Sequence, residues 1–88
     1  MEIESLRREI NSIDDNILEL LSKRKRAVRK IAAIKKKLIM PIADNDREQQ
    51  IIERLKMLAK EKRLNEEVIA SLYKIIIKNS REEQENNS

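Results

Sequence analysis

The chain contains no cysteine, histidine, glycine, phenylalanine or tryptophan, and only one proline and one tyrosine among its 88 residues. Each absence closes off a class of chemistry. Without cysteine there is neither a disulfide nor a thiolate metal site, and without histidine the commonest metal ligand and general base are gone. Without glycine the phosphate-cradling loops are excluded, and the usual nucleophile constellations go with the missing His and Cys. No apolar run approaches the roughly 20 residues needed to cross a bilayer. Met1 leads straight into a charged amphipathic segment, where a signal peptide would show an apolar one. A soluble, cytoplasmic protein without metal, cofactor or membrane span is the expectation.

What remains is Ile, Leu, Lys, Arg and Glu, with 41% charged residues and no glycine to break a helix, a composition that predicts an all-α fold. Residues 1–88 make one domain at most, and so short a chain has little core of its own. Since no disulfide or metal can staple it, oligomerisation is the remaining source of stability. The formal net charge of +4 makes an anionic partner the expectation but does not choose among nucleic acid, a membrane surface and a small acid.

Apolar residues step by three and four through Ile3, Leu6, Ile10, Ile13, Ile17, Leu20, Ala27, Ile31, Ile34 and Leu38, so the spacing predicts a first helix over 3–38. Pro41 ends the pattern, and residues 39–45 read as a loop. A second helix starts where Asp44, Asn45 or Asp46 can cap it, with Glu48 at capping-box distance from Asn45, and runs to about Lys62. Asn65 caps a third helix with the stripe Ile69, Leu72, Tyr73 and Ile76, and a polar tail runs from Arg81 to Ser88, fraying at its end. The first helix is about 54 Å long, whereas a domain of this size has a radius of gyration near 12 Å. Two helices of about half that length cannot cover it unless laid end to end. A dimer that pairs two long helices, with the shorter ones completing a bundle, answers the mismatch.

Two cations stand where the long stripe calls for apolar residues. Arg24 replaces the residue due after Leu20, and Lys35 follows eleven positions later, within about 20° of the same direction and about 16 Å further along the axis. A charge turned inward must be paired or must serve a ligand, because stranding it costs several kcal/mol. The run from Lys23 to Lys37 holds nine cations in fifteen residues, of which Lys25, Arg26, Arg29, Lys30, Lys36 and Lys37 read as a solvated face. Polar groups interrupt the other stripes as well. Glu48 precedes Ile51, Ile52 and Leu55 by three, four and seven residues, with Arg47 beside it at an anion-favouring helix start, although a capping box alone also explains Glu48. Ser80 and Gln84 extend the face of Ile69, Tyr73 and Ile76, although terminal fraying explains that too. One shared pocket accounts for all these positions. The adjacent pairs Asp14–Asp15 and Glu82–Glu83 diverge on a helix and read as solvated rather than catalytic. Arg7 lies about 26 Å from Arg24 along the axis, too far to share a small ligand within one helix, but an antiparallel partner can bring it there.

These residues resemble the all-helical chorismate mutase family, whose members are intertwined homodimers of three-helix chains. Leu6-Arg7, Ile13-Asp14, Arg24, Lys35, Pro41, Asp44-x-Asp46-Arg47-Glu48, Ser80 and Gln84 fall in the family's register without a gap, over essentially the whole chain. The resemblance implies an intertwined six-helix dimer that converts chorismate to prephenate, on the branch toward phenylalanine and tyrosine. It implies that Arg24 and the partner's Arg7 hold the substrate carboxylates, assisted by Arg47 and Ser80. Lys35 would meet a carboxylate and the ether oxygen, Gln84 would donate to that oxygen, and the Asp44 backbone with Glu48 would hold the ring hydroxyl. The chemistry suits the composition, because an intramolecular rearrangement needs no nucleophile. The alternatives are an isochorismate pyruvate lyase on the same scaffold and a basic helical dimer that binds nucleic acid, which would use cations on an exposed face.

Overall fold

A computed structural model describes residues 2–86 as three helices, α1 (Glu2–Leu38), α2 (Asn45–Glu61) and α3 (Glu66–Asn86), with no strand among the described residues. The long α1 follows from an unbroken period of apolar residues. Glu2 and Glu4 sit in its first turn and Lys35, Lys36 and Lys37 in its last, each sign matching the helix dipole. It stops two residues short of Pro41. Ile39 takes φ 55°, and the Ile39 and Met40 amides donate to the Lys36 and Lys35 carbonyls at 3.3 and 2.8 Å. That is a Schellman closure, in which glycine normally occupies the left-handed position. The α2–α3 turn repeats it. Arg63 has φ 60°, and the Arg63 and Leu64 amides donate to the Lys60 and Ala59 carbonyls.

Asp44 caps α2 by accepting from the Arg47 amide at 3.0 Å. Asn65 caps α3, its Oδ1 accepting from the Glu67 and Val68 amides, both at 3.0 Å. The polar segment from Arg81 onward continues α3 as far as Asn86, so residues 81–86 are helix rather than tail. The frayed end expected at Asn87 and Ser88 lies outside the described residues.

Packing runs through α3, which lies against both α1 and α2, while α1 and α2 make no close backbone approach to each other. Bonds between α2 and α3 link Glu48 with Arg81 and Lys56 with Glu67, so these two helices are antiparallel. Bonds between α1 and α3 link Arg24 with Ser80 and Lys35 with Gln84, advancing together along both helices. The core is small, comprising Ile52, Ala70 and Ile77 with Ile51 and Tyr73 packed on it, and Val28, Ala32 and Ala59 buried elsewhere.

The molecule measures 56 × 24 × 15 Å with a radius of gyration of 16.1 Å, against about 12 Å for a compact domain of this length. The surplus is the first half of α1. Leu6, Ile13 and Ile17 are each 49% exposed and Ile3 57%, so the stripe expected to be a buried seam is open in the single chain. Neither α2 nor α3 extends far enough to cover it. Val28 and Ala32, which α3 does bury, lie on the opposite side of the Arg24–Lys35 direction from Ala27, Ile31, Ile34 and Leu38. Arg24 and Lys35 thus mark the border between a packed face and an open one.

Candidate functional site

Because α1 and α2 flank α3 without meeting, a cleft remains between them. Its cavity of about 340 Å³ is lined by Arg24 and Lys35 of α1, Asp44, Arg47 and Glu48 at the start of α2, and Ser80, Arg81 and Gln84 of α3. That volume is at the small-molecule end of ligand pockets. Val28, Ile31, Ile51 and Ile77 supply apolar walls. Seven of the eight residues singled out in the sequence, all but Arg7, converge here. Arg7 is exposed on the uncovered half of α1.

Arg24 Nη1 donates to Ser80 Oγ, and Ser80 Oγ donates to the Ile76 carbonyl at 2.9 Å. The bond back to Ile76 turns a hydroxyl lone pair toward Arg24. Lys35 Nζ donates to the Ile42 carbonyl at 2.9 Å and to Gln84 Oε1 at 3.2 Å. Gln84 Oε1 is thereby occupied, and its amide nitrogen is the group left to donate. Both cations are half-buried and bonded to neutral acceptors, which hold them in place without cancelling their charge.

Glu48 is not in a capping box. Its carboxylate takes a fork from Arg81, with Nη2 at 2.6 Å from Oε1 and 2.7 Å from Oε2, and Nε at 3.2 Å from Oε2. The hydrogen bond to Glu48, followed by the attraction of its charge, holds the Arg81 pKa above the ordinary arginine value. Arg81 Nη2 also reaches Asn45 Oδ1 at 3.2 Å. Sequence spacing contains a signal for Arg81, since it follows the buried Ile77 by four residues and therefore shares its face. A polar neighbourhood masks that signal. Glu83 also departs from the solvated reading. Its side chain is only 16% exposed, and it accepts from Arg29 Nε at 2.7 Å with Lys25 Nζ at 3.8 Å, fastening α3 to α1.

Four cations against two carboxylates leave the cavity lining with two net positive charges. The start of α2 adds a positive helix end. Past Arg24 and Arg47 lies a second hollow, lined also by Ile51, Arg54, Leu55 and Tyr73. Among the described residues no cluster of three or more carboxylates is arranged to hold a metal ion. No helix among the described residues is long and apolar enough to cross a membrane.

Fold and cleft together define an all-helical domain with a cationic, small-molecule-sized cavity built from three helices. Residues 6–85 match the family model described as chorismate mutase type II. The chain is 46% identical over 76 residues to a bifunctional chorismate mutase/prephenate dehydratase of Buchnera aphidicola subsp. Schizaphis graminum, a match covering 86% of this chain and 20% of that protein. It is 33% identical over 76 residues to the chorismate mutase of Methanocaldococcus jannaschii, covering 86% of this chain and 77% of that one. The Escherichia coli bifunctional chorismate mutase/prephenate dehydratase is likewise 33% identical over 76 residues. The chain spans about a fifth of the length of the bifunctional relatives that it matches. It belongs to the chorismate mutase type II family, a family of isomerases.

Proposed function

We propose that residues 1–88 act as one catalytic domain that converts chorismate to prephenate in the cytoplasm, on the route to phenylalanine and tyrosine. The observation that carries this reading is the convergence of Arg24, Lys35, Arg47, Ser80 and Gln84 on one cavity with two net positive charges, matched to a dicarboxylate. In the reaction a C–O ether bond breaks as a C–C bond forms within the same molecule, so no atom is gained or lost. The protein has two tasks. It must hold the dicarboxylate folded so that the reacting carbons face each other, and it must meet the negative charge that grows on the ether oxygen.

Arginine forks suit the first task, which falls to Arg24 and the partner's Arg7, assisted by Arg47 and Ser80. Lys35 and the Gln84 amide suit the second, standing side by side across the cleft from α1 and α3. Since their mutual bond already aligns them, little reorganisation accompanies the rearrangement. Glu48 and the Asp44 backbone receive the ring hydroxyl.

The functional unit in this proposal is an intertwined homodimer, with Arg7 of each chain completing the other's site. The open stripe on α1 and the hollow beyond Arg24 and Arg47 support it, because a second α1 would cover the one and enter the other. Incubation with chorismate and, separately, isochorismate, with products identified by NMR, tests the activity. Prephenate is expected from the first, and its absence would overturn the reading; pyruvate release from isochorismate alone would assign the lyase instead. Co-expression of Arg7→Ala and Arg24→Ala chains tests the exchange. Each variant alone is inactive, while random pairing restores about a quarter of wild-type sites, one per mixed dimer. No restoration would exclude sharing of Arg7.

A further inference from the structure

Arg81 is the cation in the cleft for which the proposed reaction supplies no task. It follows Ser80 on α3, and its guanidinium grips Glu48 through both carboxylate oxygens while Asn45 Oδ1 braces it from the first residue of α2. Glu48 faces conflicting demands. An ionised carboxylate is the stronger acceptor for a ligand hydroxyl, yet in a small cavity its charge repels a dianion. The fork resolves the conflict. It cancels the charge where it stands, and two parallel N–H contacts fix the carboxylate plane. A carboxylate offers about four lone-pair sites, so an oxygen gripped by arginine keeps capacity for a hydroxyl.

We propose that Arg81 is a positioning residue, which orients Glu48 toward the substrate hydroxyl and neutralises it so that the cleft admits a dianion. The inference rests on the chorismate mutase reading and deepens it. It also separates Arg81 from Arg24 and Arg47, because Arg81 acts through Glu48 rather than on the ligand. Lysine at this position would supply the charge without the fork. Charge and orientation are therefore separable by experiment.

The test is steady-state turnover of chorismate by wild type, Arg81→Leu, Arg81→Lys, Glu48→Gln and the Glu48→Gln/Arg81→Leu double variant. Affinity for prephenate, measured by calorimetry, serves as a second readout that survives loss of turnover. Arg81→Leu should raise KM, and weaken prephenate binding, roughly tenfold, the scale of Coulomb repulsion about 4 Å away in an open cleft whose dielectric approaches that of water. In the Glu48→Gln background no charge remains to cancel, and the same substitution should change either quantity less than about twofold. Arg81→Lys should keep KM near wild type and lower kcat, because the charge is kept and the orientation lost. If Arg81→Leu does not fold by circular dichroism, Arg81→Gln replaces it with the same expectations.

Equal losses in both backgrounds would mean that Arg81 touches the ligand or merely holds the helices together, and would overturn the proposal. Wild-type kinetics in Arg81→Leu would overturn it as well. If the wild type itself makes no prephenate, the functional reading and this inference fall together. If it does, the Arg81 comparison alone decides.

Discussion

Replacing Lys35 with methionine separates the structural from the chemical contribution of one ammonium group. Methionine keeps most of the aliphatic stem and removes the donor. Two hydrogen bonds disappear, to the Ile42 carbonyl at 2.9 Å and to Gln84 Oε1 at 3.2 Å. Lys35 is only half-buried and the cleft is open, so water replaces part of what is lost, and about 1 kcal/mol of stability is the expected cost. For a domain of this size that corresponds to a fall in Tm of about 4–8 °C. The kinetic loss is larger. An electrostatic contact to charge that develops only in the transition state is worth roughly 3–4 kcal/mol, or about 10²–10³ in kcat. Chorismate consumption followed by absorbance, with circular dichroism melts on the same samples, measures both effects. The exposed Lys36 and Lys37, each changed to methionine, are controls expected to keep wild-type kcat. A folded Lys35→Met protein with kcat within about fivefold of wild type would refute the role given to Lys35.

Gln84→Glu should be active only at acidic pH. Its carboxylate would be ionised above the ordinary range near 4.3 and would then both repel the charge forming on the ether oxygen and draw Lys35 toward itself. The protonated fraction rises as pH falls, so the rate should climb toward low pH while wild type shows no such limb; a flat mutant profile would mean that Gln84 is not at that oxygen. Arg24→Leu should remain helical by circular dichroism, because its partner at Ser80 keeps a bond to the Ile76 carbonyl, and turnover should fall at least about 10²-fold. Turnover retained by that folded variant would remove Arg24 from the site. Arg63→Gly should stabilise the protein by about 0.5–1 kcal/mol, the left-handed strain at φ 60° being only partly offset by glycine's greater unfolded-state freedom. An unchanged or lower melting temperature would show that the turn carries no such strain.

Helix positions were legible in the sequence because periodicity, Pro41 and the Asn65 cap are local signals. The shared direction of Arg24 and Lys35 was legible for the same reason, since helical angle alone puts both on one line, but that this line borders an open face instead of lying within a buried stripe was not. What local pattern could not decide was competition between partners. Glu48 suits a capping box by spacing, yet Asp44 takes the cap and leaves the carboxylate to Arg81, 33 residues away. Glu83 likewise reads as solvated until α3 is laid on α1 and Arg29 comes within 2.7 Å. The uncovered first half of α1 marks the limit of what one chain can bury by itself. Its stripe predicts burial, and nothing within the same chain reaches it.

The bridging position of α3 also sets the order in which the site is built. Its last turns carry Ser80, Arg81, Glu83 and Gln84, the side chains that tie α3 to α1 and to the start of α2. A chain synthesised from its N-terminus presents Arg24, Lys35 and Glu48 long before anything can hold them together. Those side chains can be brought together only after α3 has been made and has docked, since its bonds are the ones that join them. A product lacking those turns would therefore lose one wall of the cleft together with the bonds that hold the other two.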